Sequence, residues 1–444
     1  MRQTSLHDRM RIHQMAREGH PDDAIALALG WAVPTVRKWR RRAERDPTDL
    51  SSPMGRPAAG ALSTFHPRIR QVLSALREHH PGWGPDTLEA ELPAYLSDLP
   101  SDLPRPSRSG IARWLKGEGR TEARSAPRPL PQSPTAHVTA PHEQWEMDAR
   151  GYEKVPDVGV VTLIQVNDAF SRAKVESYPC VLGEKRASRH PTTEDYQLIL
   201  RGAFTEWGLP DRLSVDHDSV FSDNSCPSPF PTRLHLWLIG LGVELVLGRK
   251  RQPTDRGITE RSHQTWADQV LRGQTYRSWA ALREALVERR RFLNERLGCA
   301  ACGGQPPLLA HPRAREPRRR YRPEAEADLL ELSRVEAYLC RGKWYRRTTD
   351  AGVFSLGGQP YGLGVTGAKE EVEITFDPGA HRWEVRNARG EQIGQLPAKG
   401  LNTLDLMGEK GSLVGLRDFQ LSLPYSPHEW RVAQLCQPLG DTTL

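Results

Sequence analysis

"VGVVTLIQVNDAFSRAKVESYPC" (Val158–Cys180) begins with an almost unbroken run of β-branched and large apolar residues. A run of that kind suits a strand covered on both faces, and the stretch as a whole supplies two strands joined at "NDAFSR". Upstream, "HEQWEMDARG" (142–151) reads as a strand of its own. Downstream, "TEDYQLILRGAFTEWGLP" (193–210) has the period of an amphipathic helix. It is followed by a strand and loop in "DRLSVDHDSVF", a helix in "PTRLHLWLIGLG", a strand in "VELVLGRKR" and the start of a long helix in "TDRGITERSHQTWADQVLRG". Three early antiparallel strands followed by alternating helices and strands make a mixed α/β layer, the arrangement of an RNase H-like fold.

The flanks differ in character. Residues 1–46 hold three short helical stretches separated by Gly19 and Gly30, the rhythm of a helix-turn-helix. In the third stretch Val33, Val36 and Trp39 turn inward. Thr35, Arg37, Lys38, Arg40, Arg41 and Arg42 then face out, as a recognition helix in a major groove requires. After a linker rich in Pro, Gly and Ser, residues 65–120 repeat the theme, with Arg108, Arg113 and Lys116 on a second candidate recognition helix. Residues 121–141 read as an extended linker, 142–297 as the α/β core, and 334–398 as short strands forming a small SH3-like β-barrel. Between the last two lies a basic, proline-rich stretch, "QPPLLAHPRAREPRRRYRP" (305–323), and residues 399–444 form a C-terminal tail without periodic pattern.

The chain of 444 residues carries 62 Lys+Arg against 55 Asp+Glu, a net charge of +7, which fits a polyanionic partner such as double-stranded DNA. No apolar run approaches the length of a membrane span, and the start lacks the apolar centre of a signal peptide, so a cytoplasmic protein without membrane partners is expected. The six cysteines are sparse and irregularly spaced, unlike a secreted disulfide framework. Cys299 and Cys302 form a lone CxxC in "GCAACGG"; with no second metal-binding pair, it reads as a turn.

Three acids stand where chemistry would use them. Asp148 lies in the first strand, Asp216 at the end of a later strand, and Glu260 at the start of the following helix. Each alone suits a surface charge or a partner for a helix dipole. Together, three carboxylates suffice to hold two Mg²⁺ or Mn²⁺ ions, hard cations that prefer oxygen, for in-line phosphoryl transfer.

The words "QWEMDARG", "VNDAFSR", "WGLPDRLSVDHDSVF" and "QPTDRGITERSHQTW" resemble the catalytic core of the retroviral integrase superfamily, in particular the bacterial DDE transposases of insertion sequences and related transposons. By motif, Asp148, Asp216 and Glu260 fall on the three catalytic positions. The resemblance extends over the flanking modules to about Leu396. It implies a DNA transposase that cleaves at transposon ends and transfers the freed 3′-hydroxyl to target DNA, acting as a homo-multimer, with a separate ATPase selecting the target in related systems. No GxxxxGK[ST] loop is present here.

Two departures stand out. Asp218 replaces the usual Gly of the second motif and competes with Asp216. The 44 positions from Asp216 to Glu260 exceed the family's usual spacing, which fits an insertion at "SDNSCPSPFP". Glu146 and Asp168 are reserve carboxylates, Glu146 because it shares a strand face with Asp148. Lys250, Arg251, Arg261 and His263, with Gln264 beside them, are the expected DNA contacts near the acids. A DNA-binding regulator on an inactive core and a structure-specific nuclease without strand transfer are the alternatives.

Overall fold

The computed structural model describes residues 4–45, 50, 60–100, 102–121, 138–182, 191–223, 228–248 and 257–408. Most of the expected linker, much of the expected tail, and Lys250 and Arg251 lie outside these. The chain falls into two compact units, Met1–His66 with Arg113–Thr121, and Pro67–Ala112 with Glu122–Leu444.

The amino-terminal part of the first unit has, among the described residues, the helices α1 (Leu6–Arg17), α2 (Asp22–Leu29) and α3 (Val33–Arg45). Ser5 and Asp8 close a capping box at the start of α1, and α2 ends on Gly30 in the left-handed conformation. Ile12, Ile25, Val36, Trp39 and Ala43 form the core. Arg9 lies over the Trp39 ring, 4.3 Å from its centroid, and donates to the carbonyls of Leu50 (3.0 Å) and Thr4 (2.9 Å).

The second unit starts with α4 (Pro67–His79) and α5 (Pro85–Glu91); α6 (Arg108–Gly117) straddles the division. Its centre is a five-stranded sheet of order β3-β2-β1-β4-β5: β1 (Gln144–Val155), β2 (Gly159–Asp168), β3 (Lys174–Leu182), β4 (Arg212–Val215) and β5 (Glu244–Leu247). The first three strands are antiparallel, as expected, and β4 and β5 join parallel to β1. Helices α7 (Thr193–Trp207) and α8 (Arg233–Gly240) supply the returns to β4 and β5. Ile164 and Val166 of β2 join the core that holds α7 and α8, while Val161 and Leu163 join a second core holding Trp266, Leu282 and Leu286. The apolar run of β2 is therefore covered on both faces.

The expected long helix is divided. α9 (Gly257–Trp266) runs into a π-helical turn, Ala267–Leu271, and stops at Arg272, whose extended backbone cannot continue the helix. α10 (Trp279–Glu295) starts afresh on the Ser278 cap. Against this π turn dock the helices of the expected second helix-turn-helix. Trp83 Nε1 donates to the Gln269 carbonyl (3.4 Å), Gln269 Nε2 to Thr87 (2.9 Å), and Arg289 pairs with Glu91 at 2.5 Å. A side chain at Gly82 would collide with the Asp268 backbone.

After α10 come α11 (Pro307–Ala310), α12 (Glu326–Leu329) and α13 (Leu332–Leu339), then β6 (Trp344–Arg347), β7 (Val353–Leu356), β8 (Gln359–Gly362), β9 (Glu371–Asp377), β10 (Arg382–Asn387), β11 (Gln392–Pro397) and α14 (Thr403–Met407). The expected SH3-like barrel does not close among the described residues. β11-β10-β9-β6 form an open four-stranded sheet, and β7-β8 pair only with each other. Phe230, from the expected insertion, packs on Trp344 and Trp383, and Ser228 of the same loop accepts from Arg346. The six strands thereby share one core with the central sheet.

Glu326 ties this region together. Fully buried, it accepts from Arg201 (2.7 and 2.6 Å), Trp237 Nε1 (2.8 Å) and the Tyr321 hydroxyl. Removing one member of a buried ion pair leaves an uncompensated charge and costs about 3–5 kcal/mol. Glu326→Ala is expected to lose stability on that scale in chemical denaturation, and Arg201→Ala to do the same.

Candidate active site and nucleic-acid contacts

The register of two parallel strands determines where the first two acids stand. β1 pairs with β4 through Gln144–Arg212, Trp145–Leu213 and Glu146–Ser214. Two residues beyond the last pair are Asp148 on one strand and Asp216 just past the end of the other. Neighbouring strands lie about 4.8 Å apart. Asp216 Oδ1 accepts from the Asp218 amide (3.2 Å), whereas Asp218 Oδ1 accepts from the Val220 amide (3.1 Å) and the Ser219 hydroxyl (3.2 Å), as a turn-capping aspartate does. Beneath lies Tyr196 of α7, buried and stacked edge-on against Phe221 at 4.8 Å. Burial first, and then the charges of Asp218, Asp216 and Asp148, push its phenol well above the usual tyrosine range. The three aspartates thus share one neighbourhood.

The third acid stands on α9, which meets the first strand through His263 rather than through Glu260. Ser262 and Trp266 are buried one turn apart, and His263 beside them is half-buried, leaving Glu260, Arg261 and Gln264 exposed. His263 Nε2 lies 3.4 Å from Asp148 Oδ2, and Arg150 Nη1 donates to the His263 carbonyl (2.6 Å). Glu260 precedes His263 by three residues and is its surface neighbour on the helix. Among the described residues no three His, Cys, Asp or Glu side chains stand together closely enough to hold a metal ion. Asp148, Asp216 and Asp218 all act on Tyr196 without closing into a ligand set, and Glu260 faces solvent three residues before His263.

A polar latch holds α9 to the sheet. Lys174 Nζ donates to Asn167 Oδ1 (2.9 Å) and Ser262 Oγ (3.1 Å), and the Ser262 hydroxyl also donates to Asn167 Oδ1 (3.0 Å). Asn167 and Ser262 are fully buried. Lost hydration pulls the Lys174 ammonium down to about 8, against a smaller opposing pull from Cys299. Glu146 is buried and its charge also acts on Lys174, so this reserve acid faces the latch. The other reserve, Asp168, is committed to structure: it accepts from the His142 amide (2.9 Å) and from the Ser171 amide (2.8 Å) and hydroxyl (2.5 Å).

Two features were not singled out in the sequence. Gln165 is the cross-strand partner of Asp148 and is fully buried, with no hydrogen-bond partner for either amide atom among the described residues. Such a group is costly to leave unsatisfied. Only the pairing register reveals it, since "TLIQVND" reads as a strand whichever residue it faces. Tyr196 sits within an amphipathic helix pattern and carries no local signal.

On α3, Val36 and Trp39 are buried and Arg37, Lys38 and Arg41 exposed, with Thr35, Arg40 and Arg42 half-buried. Asp22 engages Arg37 (3.3 Å) and Arg40 (3.0 Å), Glu44 also engages Arg40 (2.8 Å), and Lys38 and Arg42 lie over the Trp39 ring. The hydrogen bond from Arg40, ahead of Arg37 and of the opposing burial, holds the Asp22 carboxyl below its ordinary value. On α6, Arg108 is bound by Asp86 and Glu89, while Arg113 and Lys116 are exposed. Cys299 and Cys302 are free thiols on a 3₁₀ turn, Cys302 Sγ lying 3.5 Å from the Ser171 carbonyl.

Among protein families, the model of a homeodomain-like domain matches residues 5–51. Among solved structures, the chain is similar to the catalytic core domain of BIV integrase, at 17% identity and a TM-score of 0.28 over 39% of this chain and 95% of that one. It is similar to the HTLV-2 integrase catalytic core domain in complex with magnesium, at 14% identity and a TM-score of 0.29 over 39% of this chain and 99% of that one. A third likeness, to the simian T-cell lymphotropic virus intasome in complex with PP2A regulatory subunit B56 gamma, has 13% identity and a TM-score of 0.30 over 74% of this chain and 96% of that one. No helix of the described residues is long and apolar enough to cross a membrane.

The latch makes a pH prediction. With its folded value near 8, below the unfolded lysine value of about 10.4, the charged Lys174 is disfavoured by folding. That penalty is fully present below the folded value and fades as pH rises toward the unfolded one. The melting temperature of the wild type, relative to that of Lys174→Met, is expected to climb between pH about 8 and about 10.

Proposed function

We propose that the chain is a polynucleotidyl transferase of the DDE transposase type. It binds transposon ends through its helix-turn-helix elements, frees a 3′-hydroxyl by hydrolysis, and joins that hydroxyl to target DNA. The observation that carries this reading is the β1–β4 register: the pairing ends at Glu146 and Ser214, each two residues before one of the aspartates Asp148 and Asp216. Asp148, Asp216 and Glu260 are the proposed catalytic and metal-binding residues. All three offer the hard oxygen that Mg²⁺ or Mn²⁺ prefers, and Glu260 is exposed, with no ion pair to another described residue, so its approach to the aspartates would complete the ligand set on metal binding. Bound there, two ions would supply Lewis-acid stabilisation of the attacking and leaving oxygens.

The chain's own residues do the positioning. His263 lies beside the Asp148 carboxylate, and Arg150 and the Lys174 latch hold α9 so that Glu260 is presented at its surface. Arg261, with Lys250 and Arg251, supplies phosphate contacts that align the scissile end. In the joining step the 3′-oxygen forms a bond to phosphorus as the target's P–O3′ bond breaks, and no protein–DNA bond is needed. Thr35, Arg37, Lys38, Arg40 and Arg41 of α3, and Arg108, Arg113 and Lys116 of α6, are the proposed end-binding contacts. Paired ends imply a homo-multimer, and a separate ATPase is the proposed target selector. Residues 1–46 and 65–120 are proposed as the end-binding modules, 142–297 as the catalytic core, and 334–398 as an accessory region of short strands.

The rival, a DNA-binding regulator on an inactive core, is favoured by the solvent-facing Glu260. An assay with pre-cleaved ends and Mg²⁺ separates them. Asp148→Ala, Asp216→Ala and Glu260→Ala are each expected to reduce joining and cleavage to background with end binding intact. Activity that survives in all three sinks the proposal, and loss in Asp218→Ala with activity in Asp216→Ala moves the second ligand. Wild-type cutting without joining selects a nuclease.

End binding is tested separately. Arg41→Ala should weaken binding and lower the salt slope by about 0.9 if it meets a phosphate, measured by anisotropy across a salt series.

A further inference from the structure

Residues 311–322, "HPRAREPRRRYR", hold six arginines and one acid, Glu316, and no step proposed above uses them. The stretch is fastened to the second unit at alternate points. The carbonyl of buried Ala314 lies 2.9 Å from His142 Nε2. Arg319 pairs with Leu209 in an isolated antiparallel bridge, its carbonyl accepting from the Leu209 amide at 2.8 Å. Its guanidinium donates to the carbonyls of Leu241 (3.1 Å) and Pro210. Buried Tyr321 bonds Glu326. Gly208, at φ +77, has no side chain where one would strike the Arg319 carbonyl and Pro317.

With 319 and 321 turned inward, the extended backbone turns 318, 320 and 322 outward, about 6.6 Å apart in sequence steps of two. Pro312, Pro317 and Pro323 stiffen the segment, which lowers the entropy lost when its side chains engage a partner. Two of the outward charges are already answered, Arg315 by Glu295 (3.0 Å) and Arg318 by Asp211 (2.6 Å). Arg313, Arg320 and Arg322 are exposed, and among the described residues none of them forms an ion pair.

We infer that this strip is a second, sequence-independent nucleic-acid surface, in which Arg313, Arg320 and Arg322 bind the phosphates of duplex DNA that the helix-turn-helix does not read. Guanidinium groups match phosphate oxygens in fork geometry. A regular polyanion offers phosphates to these exposed cations without a defined register, whereas an acidic peptide would have to match them residue by residue. The inference rests on the DNA-handling reading above but on none of its catalytic acids.

The test uses the full chain without metal, binding a duplex of arbitrary sequence across a salt series. The triple variant Arg313→Ala, Arg320→Ala, Arg322→Ala is expected to flatten the slope of log K against log salt by about 2.7, about 0.9 for each phosphate contact. A roughly tenfold or greater loss of affinity at low salt should accompany it. The triple lysine variant at the same positions should keep the slope, and an unchanged melting temperature shows that the fold is kept. If the triple alanine variant binds duplex as the wild type does, or loses only its capture of poly-glutamate, the inference fails by itself. A wild-type chain that binds no duplex at all sinks the DNA-handling reading instead.

Discussion

Parallel pairing of β1 with β4 is the constraint on which the rest of this molecule depends. The side-chain period of a strand is two, so a slip of one residue would send Asp148 to the other face and set Asp216 beside an apolar residue. The slip is prevented by packing. Trp145 and Met147 of β1, with Leu213 and Val215 of β4, all belong to one core together with Phe204 of α7 and Trp237 of α8. Moving either strand would bury polar side chains in place of these, at a cost of roughly 1.5–3 kcal/mol for each large apolar group exposed.

The two faces of the sheet then do different work. One is apolar and continuous with the C-terminal strands, through Phe230 against Trp344 and Trp383. The other carries Asp148, Gln165 and Asn167 in cross-strand rows, and α9 is held against it as much by Lys174, Asn167 and Ser262 as by Trp266. Buried polar contacts of this kind demand good geometry, because an unmatched group inside the protein is expensive. They fix the helix in position while contributing little net stability. The same logic governs α3, where Asp22 restrains Arg37 and Arg40 without burying them.

Regions that look separable by composition are stitched together by a few long-range bonds. Trp83, Gln269, Arg289 and Glu91 tie α4 and α5 to the π turn and α10. Glu326 gathers α7, α8 and the arginine-rich segment at a single carboxylate. The arginine-rich segment is thereby part of the framework on one side and a charged surface on the other.

Much of this was legible from residue order alone. The strand and helix sequence of the central sheet followed from periodicity, because a strand buried on both faces and helices with one apolar stripe write themselves as local patterns. Buried Val36 and Trp39 and exposed Arg37, Lys38 and Arg41 of α3 followed in the same way, whereas Val33, Thr35, Arg40 and Arg42 came out half-buried. The motif words marked Asp148, Asp216 and Glu260, but only the fold could say which acids become neighbours, since that depends on register between strands far apart in the chain. It showed Asp168 capping a turn and Asp218 accepting from its own loop, placed Gln165 opposite Asp148, and left the C-terminal strands as an open sheet. Local sequence encodes propensity and face. Closure of a barrel, convergence of side chains and the meeting of distant charges are decided by packing, where one arrangement satisfies buried apolar surface and buried polar groups together.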